Sequence, residues 1–359
     1  MMALVAVSRE VSAGRFAAQL LSGEPARTPV DVVQRLLAVQ AQDPRGARLA
    51  IRSRSSGLTA SDVDSALTSD RSLLITWLNR GTLHLIRSED YWLLHSLLVR
   101  PSHETACLRV LAGIGVTPDQ ADKGVQVIAG ALAAEGPLTR VQLRDRLVRV
   151  GLPADGNAGL HLLLLTCQRG LAIRGPMVGA QQANVLVRDW LGKPPPDRPD
   201  ADTALGELAR RYLAGHGPSS DRDLAKWAGL PLGQVRRGLT AITKQLRDRD
   251  DGLAELGGGR ADLAELPAPK LLGSFDEVLH GWADRKPILG HHQQIVTSNG
   301  LFRPFALVDG KAAGIWTWSD GQVRLDGLDE LAGETAAAID AEATDVQRFL
   351  SGEPELEAV

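Results

Sequence analysis

Cysteine is nearly missing from this 359-residue chain: Cys107 and Cys167 stand far apart, with no CxxC pair and no Cys/His cluster. Neither a disulfide framework nor a cysteine-based zinc site is written in such a sequence, and a reducing cytoplasm suits it. Long hydrophobic runs are missing too. The longest aliphatic stretch, LHLLLLT from Leu160, falls far short of the roughly 20 apolar residues that cross a bilayer. The opening MMALVAVSREVSAG lacks the basic-then-apolar layout of a secretory leader. A cytoplasmic protein with no membrane role is the expectation. His291-His292 has no third ligand at a credible spacing, so no metal and no cofactor are expected.

A strong charge excess is absent as well, since the net charge is only −3. Its distribution says more than its sum. From Asp320 to Val359 eleven acidic residues face two arginines, so the body before Asp320 is mildly basic, at +6. A basic body with an acidic tail leaves a nucleic-acid partner open.

What is present centres on VDVVQRLLAVQAQDPRGARLAIRSR, Val30 to Arg54. Val32, Val33, Leu36 and Leu37 recur at helical spacing, and the same stripe next meets Gln40, where another aliphatic residue would fit. An uncharged amide thus points toward the core. Gln42 adds a second amide, and Asp43-Pro44 stops the helix. The spacing predicts a helix from Val30, capped by Thr28, that unwinds near Ala41. Arg45, Arg48, Arg52 and Arg54 follow, a cluster suited to an anionic polymer.

Two internal copies organise the middle of the chain. GPLTRVQLRDRLVRVGLP (Gly136 to Pro153) and GPSSDRDLAKWAGLP (Gly217 to Pro231) share a Gly-Pro opening, a hydroxyl cap (Thr139; Ser219 or Ser220), a leucine six residues after the proline and a Gly-Leu-Pro close. Each is preceded and followed by a helix, and then by a stretch readable as two strands, from Leu171 and from Leu246. Helix, turn, helix, helix and wing is the winged-helix order. Near the N-terminus, helices from Ser8, Val30 and Leu58 lead into LLITWLNRGTLHLIR, a predicted hairpin turning at Asn79-Arg80-Gly81. After a proline-rich linker, Leu191 to Asp202, and a second copy of the unit, FDEVLHGWADR is amphipathic. Asp309-Gly310 and Asp320-Gly321 then mark the turns of a small antiparallel sheet, and 328–350 reads as an acidic helix. Trp316 and Trp318 alternate on a predicted strand, which points to packing and not to base stacking.

Together the helix ending in VQAQDP, WLNRGTLHLI, the repeated units, LLGSFDEVLHGWADR and FRPFALVDGKAAGIW resemble the winged-helix DNA glycosylases related to the azinomycin-resistance glycosylase and the bacterial interstrand-crosslink glycosylase. One branch of that family carries a Gln-aliphatic-Gln motif, matched by Gln40-Ala41-Gln42, with alanine as the small apolar middle residue. In LLGSFDEVLHGWADR, Val278 and His280 stand where the family leads one to expect Tyr and Leu. The resemblance implies an α+β, predominantly helical protein: tandem winged helices in a C-shaped arrangement, closed by a C-terminal antiparallel β-sheet domain. The corresponding division is 1–115 for a first winged helix with the catalytic motif, 116–192 and 193–265 for two more, and 266–359 for the β-rich domain with its acidic tail. It also implies a monomeric, cofactor-free enzyme that hydrolyses the N-glycosidic bond of alkylated purines in double-stranded DNA, for repair or for self-resistance to an antibiotic.

The chemistry of the residues supports this. An amide is no general base near neutral pH, so two glutamines can only orient a water and hydrogen-bond to developing charge. That suffices for a leaving group already activated, such as an N7-alkylated purine, whose ring carries positive charge before the bond breaks. Asp43 could add a carboxylate to the site or simply end the helix before Pro44. Without the resemblance, Gln40 and Gln42 would read as buried amides satisfying backbone groups at a helix end. Arg45, Arg48, Arg52, Arg54 and Arg80 are phosphate ligands or a solvated face, and His84 is a wing residue facing DNA or a core histidine. A non-catalytic winged-helix DNA-binding protein, regulator or lesion-sequestering module, is the competing class.

Overall fold

The computed structural model describes residues 8–179, 181–197, 199–258, 265–327 and 329–351. It is a mixed α/β fold in which helix predominates. Close contacts gather the chain into two units: one runs to Val63 and resumes at Pro199, and the other spans the residues between. Contact thus divides the chain differently from the element pattern, because the N-terminal helices pack with the chain beyond Pro199.

In the first unit, helix Arg9–Ala18 starts at Ser8, whose hydroxyl accepts the Val11 N–H. Helix Pro29–Leu36 starts at Thr28, which accepts the Asp31 N–H, with Pro29 in the first turn, where its missing N–H costs nothing. This helix lies against Ala201–His216 so closely that a Cβ on Gly215 would stand 2.2 Å from the Arg35 carbonyl oxygen. Glycine is required there by contact, not by conformation. The second Gly-Pro copy resolves its cap: Ser220 accepts the Asp223 N–H and opens helix Asp221–Ala228, while Ser219 is wholly buried. Helix Leu232–Ala241 follows, and the expected wing from Leu246 is reduced to isolated bridges, Leu246 with Leu256 and Ser219 with Ala254. Its RDRDDG sequence offers charge where a ladder needs alternating apolar residues, and Arg249 is spent on Asp251 and Glu255.

The unit's sheet is a meander in the order Lys270–Leu272, Phe305–Val308, Lys311–Ser319, Gln322–Asp326. Both predicted turns hold, with Asp309 and Gly310 at φ 48° and 74°, and Asp320 and Gly321 at 53° and 72°. Two successive positive φ values are what the favoured two-residue hairpin turn demands. Trp316 is buried and donates its indole N–H to the Leu272 carbonyl, as a packing role requires, while Trp318 is half-buried. The acidic stretch forms helix Gly333–Leu350. FDEVLHGWADR, expected to be amphipathic, makes only a short 3-10 turn, Glu277–Leu279. Val278, Leu279 and Trp282 on that segment join Phe16, Leu272 and Phe305 in one core, so it is anchored from several sides.

The second unit contains the first Gly-Pro copy. Helix Pro118–Glu135 is followed by Arg140–Arg149, capped reciprocally by Thr139 and Gln142, and then by Asn157–Gln168. Its hairpin, Ala172–Val178 with Gln181–Leu186, pairs through Ile75 and Arg174 with the N-terminal hairpin Leu73–Trp77 and Leu83–Arg87, giving four consecutive antiparallel strands. The turn falls at Asn79–Gly81 as predicted, with Arg80 at φ 56°. Cys107 and Cys167 are both free and buried, and burial pushes their thiols up to about 11 and about 12. They stay protonated at neutral pH. Among the described residues no helix is long and apolar enough to cross a membrane.

Candidate active site

The segment carrying the two glutamines is not the end of a helix. Helix Pro29–Leu36 stops where Leu37 turns to φ 68°, a left-handed value that an ordinary side chain takes only when packing enforces it. Leu36, Leu37, Ala38 and Val39 are all fully buried, and that burial overrides the helical period that seemed to reach Gln40. Val39–Gln40 is extended. The expected unwinding near Ala41 therefore occurs at Leu37. Strand character ends at Gln40, and the chain bends at Gln42 before the next helix begins at Pro44.

Gln40 is 4% exposed, and its side-chain oxygen is buried with no hydrogen-bond partner among the described residues. Leaving a buried acceptor unsatisfied costs about 1–3 kcal/mol, so such an atom calls for an explanation. Gln42 and Asp43 are half-buried. Asp43 caps the next helix, Pro44–Arg52: its Oδ1 accepts the Arg45 N–H at 3.0 Å. Its Oδ2 accepts from the Ser274 hydroxyl. Helix capping is thus a role Asp43 demonstrably fills.

The residues after Asp43 turn inward. Arg54 is fully buried in a two-pronged ion pair with Asp276, 2.8 Å on each side, and its Nη2 also donates to Gln19. Arg52 is 3% exposed and donates to the Leu271 carbonyl, Glu342 and Asp345. Arg48 is buried, with Nη1 on the Pro44 carbonyl. The structure therefore corrects the reading of Arg48, Arg52 and Arg54 as phosphate ligands: they bind the chain to itself. Arg45 and, in the second unit, Arg80 are half-buried. His84, also in the second unit, is a core histidine. Its Nδ1 bonds the Thr82 carbonyl at 2.9 Å, and burial, with the Arg80 charge adding to it, pushes its pKa down to about 3.

Two carboxylates escaped the reading of the sequence. Glu277 is 1% exposed and its Oε1 accepts the backbone N–H of Gln40 at 2.6 Å. Asp276 is the wholly buried partner of Arg54. The available signal was an acidic pair set inside an otherwise apolar stretch, where unpartnered charge is expensive. The histidine pair also needs correction, since Asp329 supplies a third group: its Oδ1 lies 3.0 Å from His291 Nε2 and 3.2 Å from His292 Nε2. Tertiary structure brought in a residue that spacing could not predict.

A buried neutral amide with an unpartnered oxygen, held at its backbone by a buried glutamate, can orient a small polar molecule by hydrogen bonding. Comparison with known proteins assigns the class. The family described as DNA glycosylase AlkZ-like matches residues 33–349, and the chain belongs to it. It is a DNA glycosylase, which decides between the enzyme and the binding-only alternative. The interstrand DNA cross-link repair glycosylase of Streptomyces sahachiroi is 27% identical over 363 residues, spanning 95% of this chain and 95% of the relative. The solved structure of the Streptomyces sahachiroi DNA glycosylase AlkZ is similar with a TM-score of 0.75 and 27% identity, covering 97% of each chain.

Proposed function

We propose that this glycosylase hydrolyses the N-glycosidic bond of N7-alkylated purines in double-stranded DNA, including bulky or crosslinked adducts of a genotoxic natural product. The observation that carries the reading is the buried, unpartnered side-chain oxygen of Gln40. It accepts an O–H of the attacking water and fixes its position, with Gln42 as the second amide of the site. The alkylated ring is already cationic, so the bond from C1′ to the purine nitrogen breaks with its electron pair passing to the ring, which leaves neutral. Water then bonds to the sugar cation and releases its proton to solvent. No general acid is required, which fits a site whose polar side chains at the motif are amides. The crosslink assignment draws on the similarity to the S. sahachiroi interstrand DNA cross-link repair glycosylase.

The three-helix-and-hairpin order of residues 118–186 supports reading it as a winged helix. The copy from Ala201 is a reduced one, and each serves as a duplex-binding element of a protein that acts as a monomer in the cytoplasm. Arg45 in the first unit and Arg80 in the second are the arginines read here as phosphate contacts. The test is to incubate the purified protein with duplex carrying N7-methylguanine and, separately, bulky N7 adducts, and to score alkali-labile abasic sites. Base release is expected from at least one. Duplex that is bound but never yields an abasic site would sink the reading.

A further inference from the structure

We infer that Glu277 is a positioning residue for Gln40, acting through the hydrogen bond its carboxylate accepts from the Gln40 backbone N–H. The inference rests on the role proposed above for Gln40. At 2.6 Å this bond is shorter than the usual 2.9–3.0 Å of an amide donor, and it joins residues 237 apart in sequence. Glu277 belongs to a loop that grips the motif at two points. Its carboxylate holds Gln40 at one end, and the Ser274 hydroxyl holds the Asp43 carboxylate at the other. The loop in turn is fixed independently of the motif. Asp276 is locked to Arg54, its Oδ1 also accepts the Val278 N–H, and Gln19 donates to the Glu277 carbonyl at 3.3 Å.

Close approach confirms the grip. A Cβ on Gly46 would lie 2.3 Å from the Ser274 carbonyl oxygen, and one on Gly273 would lie 2.8 Å from Leu49 Cβ. The loop and the helix beginning at Pro44 therefore touch backbone to backbone. Because Arg54 and Asp276 already anchor the loop, the Glu277 carboxylate is not needed to hold it in place. What it adds is a fixed peptide plane at Gln40, and with it a fixed origin for the side chain whose oxygen stays open. A misplacement of about 1 Å in such a group costs on the order of 10²-fold in rate.

The experiment compares wild type with Glu277→Asp, Glu277→Gln and Glu277→Ala by single-turnover base release from duplex carrying N7-methylguanine, by duplex Kd, and by hydrogen exchange of the peptide containing Gln40. Glu277→Asp withdraws the carboxylate by one methylene. It is expected to slow release by about 10²-fold, with Kd unchanged and exchange at Gln40 accelerated. Glu277→Gln keeps an acceptor in place and should lose no more than about tenfold, the difference between charged and neutral acceptors. Glu277→Ala should resemble Glu277→Asp or be worse, and if it fails to fold the Asp and Gln variants carry the test. Wild-type rate in Glu277→Asp, unchanged protection of Gln40, or equal losses in rate and affinity would overturn the inference. A wild type that releases no base, while Glu277→Asp still exposes the Gln40 amide, would fault the proposed function and leave the clamp standing.

Discussion

Gln40 and Arg54 lie on either side of one short helix, both buried, both polar, and they end in opposite conditions. Arg54 has its charge neutralised: Asp276 accepts from both terminal guanidinium nitrogens, and Gln19 takes a further bond. Gln40 has its backbone N–H held by Glu277 and its side-chain oxygen left open. Stranding a buried charge costs several kcal/mol, about 3–5, so Arg54 is committed to Asp276 as part of the scaffold. A buried amide survives a missing partner at a cost of about 1–3 kcal/mol, and so can be kept for one. Burial alone does not separate the two; what differs is that the Arg54 charge is committed to a buried ion pair while Gln40 is a neutral amide.

The comparison is most exposed at its charged end. Replacing Arg54 by Ala strands the Asp276 carboxylate at zero exposure and should cost about 3–5 kcal/mol of stability, read by denaturant unfolding. A loss under about 1 kcal/mol would mean that the pair is not the anchor described here. Replacing Gln40 by Ala should behave in the reverse way. Base release is expected to fall by about 10²–10³-fold, as for loss of one preorganised hydrogen bond at a reacting centre, while thermal stability and duplex affinity hold. If unfolding shifts and release does not, Gln40 belongs with Arg54 after all.

Acid offers a third measurement. His84 and His216 are buried with their pKa values pushed down to about 3, in each case chiefly by burial. Below pH 6.5 the unfolded chain takes up protons that the folded chain refuses, so stability is complete above about pH 6.5 and declines as pH falls toward 3. Each histidine contributes at most about 1.4 kcal/mol per pH unit in that window. Asn in place of His84 can keep the bond to the Thr82 carbonyl and remove the titration, and it should flatten this slope. An unaltered slope would contradict the burial of the imidazole. The smallest effect is expected at the surface, where Arg236 pairs with Asp221 at 62% and 27% side-chain exposure. Alanine at Arg236 should change stability by less than about 1 kcal/mol, a baseline against which the Arg54 result is judged.

Much of the architecture was legible because it is local. Thr28, Thr139 and Ser220 announce helix starts by hydroxyl capping, and the Asp-Gly pairs announce hairpin turns by their tolerance of positive φ. The internal Gly-Pro copies exposed the repeated helical unit. The motif Gln40-Ala41-Gln42 was legible as a candidate site through resemblance, and the neutrality of its side chains underlies the chemistry proposed above. The arginines were not legible in the same way. Arg45, Arg48, Arg52 and Arg54 are equivalent in sequence, and only the placement of Asp276, Glu342, Asp345 and the Leu271 carbonyl decides which are consumed inside.

Local interactions, then, determined from sequence alone where this chain starts its helices, turns its hairpins and interrupts an apolar stripe with an amide. Tertiary packing decided the rest. It ended the first motif helix at Leu37, laid Gln40 out as extended chain, and brought Glu277 and Ser274 against a motif more than two hundred residues away. The reason is physical: capping and turn preferences act over a few residues and can be read in order. Desolvation acts on whatever the folded chain places together, and it is desolvation that makes Arg54 a strut and sets the cost of leaving the Gln40 oxygen without a partner.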